Sequence, residues 1–115
     1  TPLLHLIKTR ASQINGCANC VNLHAGRLRD AGISEERIQL VVTWREAECF
    51  SARERAALDW TEAVTLVAES RVEDAVYQAA SGQFTDEELT HLTFTICVIN
   101  THNRLAVAFR RVPGS

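Results

Sequence analysis

The only prolines in this 115-residue chain are Pro2 and Pro113, one at each end. An interior proline removes a backbone donor and clashes with the preceding turn, so everything between these two is free to be helical. The apolar spacing uses that freedom. Leu3, Leu4, Ile7, Ala11 and Ile14 recur at helical intervals, and the turn dipeptide Asn15-Gly16 ends that segment. A second helix is expected from about Cys17 to Ala31, with Gly32 past its end. Ser34 is placed to cap a third, with Glu35 and Glu36 in its first turn and Ile38, Leu40, Val41, Val42 and Trp44 buried. Glu46 to Phe50 reads as a connection. Ser51 and Glu54 fit a capping box for a long fourth helix to about Ser70, and Val72 to Ser81 forms a shorter fifth, stopped by Gly82. Thr85 and Glu88 make a second capping box, stapled by Phe84 and Leu89. The last helix carries Leu89, Leu92, Phe94, Ile96, Cys97, Val98, Ile99, Leu105, Val107 and Phe109. It is apolar on most of its circumference, so it is expected to be central or pressed against another subunit. The expectation is an all-α bundle of about six helices that self-associates.

No repeat, low-complexity segment or boundary divides the chain, and its length suits one core, so residues 1–115 are expected to form a single domain. Twelve basic residues against 14 acidic ones give a formal charge of −2. That balance lacks the basic patch that nucleic acid requires. The apolar runs are too short and too interrupted to cross a bilayer. The sequence shows no signal peptide, and a cytoplasmic location is expected. The chain opens Thr1-Pro2-Leu3 and contains no methionine, so further residues are expected ahead of Thr1.

Four cysteines are few for a disulfide-stapled scaffold, and only Cys17 and Cys20 are closely spaced. His24 follows four residues after Cys20. On a helix the three project within an arc of about 60°. Such a grouping suits thiol redox chemistry. The thiolate is the reactive form, and it is favoured by the unpaired N–H groups of a helix N-terminus and by an imidazole that accepts the thiol proton or, once protonated, holds the anion. A second thiol at i+3 resolves a sulfenic acid into a disulfide. The rival chemistry is zinc, with Cys17, Cys20 and His24 as three ligands and His5 or His102 as the fourth. A third reading is two buried thiols and a core histidine without chemistry.

The run Lys8-Thr9-Arg10-Ala11-Ser12-Gln13-Ile14-Asn15-Gly16-Cys17-Ala18-Asn19-Cys20, followed by His24, resembles the signature of AhpD-like alkylhydroperoxidases of the carboxymuconolactone decarboxylase family. Trp44-Arg45-Glu46-Ala47, Phe50 to Leu58 and Ile99 to Leu105 extend the likeness over almost the whole chain. The resemblance implies an all-helical fold assembling into trimers or hexamers. It implies that Cys20 attacks the peroxide, Cys17 closes the disulfide and His24 belongs to a proton relay. It further implies that a dithiol, in the best-known members a lipoyl-bearing protein, returns the electrons. No cofactor or metal enters that reading. Helix-terminus electrostatics alone would nominate Cys17 as the more acidic thiol, and the resemblance is followed because His24 lies one turn from Cys20. One position departs from the family pattern. His5 stands twelve residues before Cys17, where family members commonly carry a relay glutamate, so His5 is expected to replace it or to be a plain helix-face residue. The family also often shows tryptophan at the position of His102, so His5 and His102 are candidates to share a pocket. The alternatives kept beside the peroxidase are a zinc-binding structural module, a redox-sensing oligomer, and a decarboxylase-like lyase. Lyases of the family lack the cysteine pair.

Among the remaining residues, Cys97 is expected to be a small buried hydrophobe, Cys49 an incidental thiol, and His91 a surface or interface residue. Trp44 and Trp60 are expected in the core or an interface, with Asn103 and Arg104 used structurally. Asp59 and Glu62 are expected to be solvated helix-face charges.

Overall fold

The structure, a computed structural model, describes residues 2–114. The expectation about what precedes Thr1 lies outside the described residues. The described chain forms α1 (Pro2–Asn15), α2 (Ala18–Asp30), α3 (Glu35–Leu40), a 3₁₀ turn (Val41–Thr43), α4 (Ala52–Thr65), α5 (Val67–Ser70), α6 (Asp74–Gln83) and α7 (Asp86–Ala108). The fold is all-α and AhpD-like, with seven α-helices rather than about six.

Both expected capping boxes form in full. Ser51 accepts the Glu54 N–H while the Glu54 carboxylate accepts the Ser51 N–H, and Thr85 and Glu88 do the same at α7. The fourth helix stops at Thr65 instead of Ser70. The Ser70 hydroxyl donates to the Ala63 carbonyl at 2.6 Å and accepts the Val72 N–H at 3.2 Å, so a local side chain satisfies groups that a continuing helix would have paired. Arg71 and Val72 then take left-handed backbone, at φ 54° and 49°, and the next helix begins at Asp74 rather than Val72. The third helix tightens to 3₁₀ at Val41, leaving Val42 exposed while Val41 and Trp44 are buried.

Beside a small cluster of Cys17, Cys20 and Ala106, two large apolar clusters form most of the core. One gathers Ile7, Ala57, Trp60, Leu89 and Ile96 from α1, α4 and α7; the other gathers Leu6, Leu28, Ile38, Val41, Trp44 and Leu58 around α1, α2 and α3. α1 contributes to both and packs against α2, α4 and α7. Phe94, Val98 and Leu105 of α7, with Phe109 at its C-cap, make an exposed apolar stripe. Among the described residues no helix is long and apolar enough to cross a membrane.

Candidate active site

The cysteine pair sits at the junction of α1 and α2. Gly16 turns the chain with φ 68°, a left-handed conformation open to glycine at little cost. That turn delivers Cys17, which is the N-cap of α2 rather than its first helical residue. Its Sγ accepts the Cys20 N–H at 3.3 Å, one of the N–H groups left unpaired at a helix start. The structure joins Cys17 and Cys20 as a disulfide, with Cα atoms 5.3 Å apart. Both are almost fully buried, together with Ala106 of α7.

A chain of side-chain amides holds this turn. The Asn15 amide donates to Asn100 Oδ1 at 3.0 Å and Asn103 Oδ1 at 2.9 Å, and the fully buried Asn103 donates to Ser12 Oγ at 3.0 Å. Asn100 in turn donates to Thr65 Oγ1 and the Ile96 carbonyl. Arg104 donates to the Asn100 carbonyl and side chain. Asn103 thus ties the end of α1 to α7, while Arg104 braces Asn100 within α7.

Cys20, His24 and Leu28 are the buried residues of α2, at i, i+4 and i+8 on one face. His24 meets His5 of α1, with ring centroids 5.7 Å apart and planes 26° from parallel. The ring that stacks on His5 is thus His24; His102 is exposed on α7, near enough to His24 to lower its pKa. Both Nδ1 atoms of the stacked pair are buried without a hydrogen-bond partner in the protein. Burial first, and then the Lys8 ammonium, lowers the His24 pKa to about 4; Arg27 also contributes. Burial and Lys8 lower His5 as well. In this disulfide-bonded state, therefore, His24 at neutral pH is an uncharged imidazole able to accept a proton.

That shift fixes a pH dependence. An unfolded histidine titrates near 6.5, so between 6.5 and about 4 the unfolded chain binds a proton that folded His24 refuses. The stabilisation is fully present above pH 6.5 and is lost as pH falls toward 4, by up to about 3 kcal/mol. Urea unfolding of the oxidised protein at pH 7 and pH 4.5 should show a steeper loss in the wild type than in His24→Asn. Parallel losses would show that the ring is not kept neutral by the fold.

Glu62 departs from its sequence expectation. It is no solvated helix-face charge: its carboxylate accepts from Arg10 Nε at 2.9 Å, Trp44 Nε1 at 2.7 Å and Arg45 Nη2 at 3.1 Å. Burial would raise its pKa, but the Trp44, Arg10 and Arg45 bonds outweigh it and hold the carboxyl below the usual range. Asp59 pairs with Arg45 at 2.5 Å. Arg55 donates to the carbonyls of Trp44, Arg45 and Ala47, so the turn after α3 is braced by α4. Cys97 is exposed rather than buried, because it lies on the outward side of α7; Cys49 is half-buried and His91 exposed. Among the described residues no group of three or more His, Cys, Asp or Glu side chains is placed to hold a metal ion.

The model of the carboxymuconolactone decarboxylase family matches residues 2–63, from α1 through most of α4 and including Cys17, Cys20, His5 and His24. The chain belongs to the carboxymuconolactone decarboxylase family. Within it, the chain is 38% identical to the uncharacterized protein YdfG of Bacillus subtilis, over 90% of this chain and 70% of YdfG. It is 30% identical to the uncharacterized protein YnjA of Escherichia coli, over 86% of this chain and 54% of YnjA, so it spans about half of that relative. A crystal structure of an Agrobacterium tumefaciens protein of unknown function, provisionally named as the antioxidant defence protein AhpD, superposes with a TM-score of 0.96 at 44% identity, covering 98% of this chain and 77% of that one. A peroxidase-related protein from Silicibacter superposes at 0.87 with 25% identity, covering 99% and 60%. This family member is AhpD-like in sequence and in fold.

Proposed function

We propose that this protein reduces hydroperoxides through Cys17 and Cys20, with electrons from a dithiol. The observation that carries the reading is a buried cysteine pair at disulfide distance on a helix N-terminus, with a neutral imidazole one turn beyond Cys20. In the reduced protein, His24 takes the Cys20 thiol proton. The thiolate attacks the distal peroxide oxygen, the O–O bond breaks, and the alkoxide leaves as an alcohol with that proton, forming a sulfenic acid on Cys20. Cys17 then displaces hydroxide, which leaves as water with the Cys17 proton, and the disulfide closes. Two thiols are oxidised and one hydroperoxide is reduced.

The capping bond gives each sulfur a role in the return step. A thiol–disulfide exchange is faster when the departing sulfur is the more stable thiolate. The α2 N-terminus stabilises charge on Cys17, so the dithiol reductant attacks Cys20 and Cys17 leaves. A lipoyl-type dithiol then completes the exchange with its second sulfur. His5, stacked on His24, passes the proton onward in place of a carboxylate. The α7 apolar stripe supports self-association, including the trimer or hexamer of the family resemblance.

Reduced protein mixed with less than one equivalent of an alkyl hydroperoxide should lose two thiols for each peroxide consumed, with the Cys17–Cys20 bridge found by mass spectrometry. Thiols that survive an excess of peroxide would overturn the reading. In the same assay His5→Phe keeps a stacked ring without nitrogens; an unchanged rate and pH profile would remove His5 from the relay.

A further inference from the structure

Beside the stacked imidazoles lies an open cleft of about 750 Å³, lined by Pro2 and His5 of α1 and by Asn22, Leu23, Gly26, Arg27, Asp30 and Ala31 along α2 and its end. We propose that this cleft seats the carboxylate end of a short aliphatic acid, with Arg27 as its counter-ion. Only the activity arm of this assignment rests on the peroxidase reading above.

The volume suits a small organic molecule, and Pro2, Leu23, Gly26 and Ala31 give it uncharged walls for an alkyl chain. The charged wall carries a cation without an acidic partner: among the described residues no carboxylate pairs with the Arg27 guanidinium, which stands exposed on α2. The Arg27 charge also acts on the His5 and His24 rings, which places the guanidinium near the imidazole pair. Asp30 is the one acidic group of the lining and sits at the last residue of α2, so an incoming anion is turned toward Arg27 and His5. A guanidinium binds a carboxylate through two parallel N–H donors, which leaves the alkyl chain to lie along the apolar wall.

An aliphatic carboxylate is borne either by the hydroperoxide or by the dithiol, and the experiment separates them. Octanoate titrated into the oxidised protein, followed by NMR of the histidine rings, should saturate and bind about tenfold more weakly to Arg27→Gln, with Arg27→Lys in between. In turnover, kcat/KM is compared for a carboxylate-bearing alkyl hydroperoxide and its methyl ester, and for dihydrolipoate and dihydrolipoamide. The acid should be preferred about tenfold in one pair, and Arg27→Gln should erase that preference. A preference in the peroxide pair assigns the cleft to the oxidant, and one in the dithiol pair assigns it to the reductant. Octanoate binding that does not saturate, or is indifferent to Arg27, overturns the proposal, as does an active enzyme that prefers neither acid. Arg27-dependent octanoate binding in a protein that consumes no peroxide would leave the cleft standing and remove the peroxidase reading instead.

Discussion

Replacing Cys20 with serine is expected to lower dithiol-dependent peroxide reduction at least about 1,000-fold, a barrier increase of about 4 kcal/mol. A serine hydroxyl holds its proton at neutral pH, and a neutral His24 does not make it a strong nucleophile toward an O–O bond. Cys17→Ser should behave differently. Its first turnover survives, because Cys20 and His24 remain, and the enzyme then stalls as the Cys20 sulfenic acid. Rapid-mixing kinetics with one equivalent of peroxide, followed by dimedone labelling, separates the two variants. The contrast decides between two physical arguments that point in opposite directions. The Cys17 Sγ takes the Cys20 N–H at the start of α2, which favours a thiolate on Cys17 by roughly 0.3–1 kcal/mol. The imidazole one turn beyond Cys20 favours proton removal there. A burst in Cys20→Ser, with none in Cys17→Ser, would exchange the two roles. Serine is close in size to cysteine, so both variants should remain folded at this buried junction.

What could be read in the sequence was local. The two capping boxes are four-residue patterns whose bonds close within the pattern, and both form. The Cys17, Cys20 and His24 spacing sits at the start of one helix and survives as a cap plus one buried face. The break after Thr65 was not legible, since it depends on the Ser70 hydroxyl reaching back seven residues to Ala63. The meeting of His5 with His24 depends on how α1 folds onto α2, and Gly16 and the Asn15–Asn103 bond set that angle from opposite ends of the chain. Cys97 looked buried because its neighbours are apolar, yet Ile96 and Ile99 face the core while Cys97 and Val98 face outward.

Glu62 teaches the same lesson in energetic terms, and Glu62→Leu is expected to cost about 3 kcal/mol of stability at pH 7. The sequence around it shows an acidic residue on an amphipathic helix. The three groups that give it a role lie 52, 18 and 17 residues away at Arg10, Trp44 and Arg45. With side-chain exposures of 20% for Glu62 and 16% for Arg10, the pair is largely out of water. Removing one partner then leaves the other charge and the Trp44 N–H under-solvated, which is the expensive way to break such a contact. For a domain of this size the loss corresponds to a fall in Tm of roughly 10 °C or more. Glu62→Gln keeps an acceptor for Trp44 and should lose less, while Asp59→Ala removes only an outer arm of the network, against an Arg45 side chain that is 57% exposed, and should lose under about 1 kcal/mol. The sign with pH follows from the lowered Glu62 pKa: its contribution is present above the unfolded carboxyl value and disappears as pH falls through the folded one. Thermal unfolding at pH 7 and pH 3 should therefore show the gap between wild type and Glu62→Leu narrowing in acid. A gap of the same size at both pH values would mean that lost packing, and not the carboxylate, accounts for the effect.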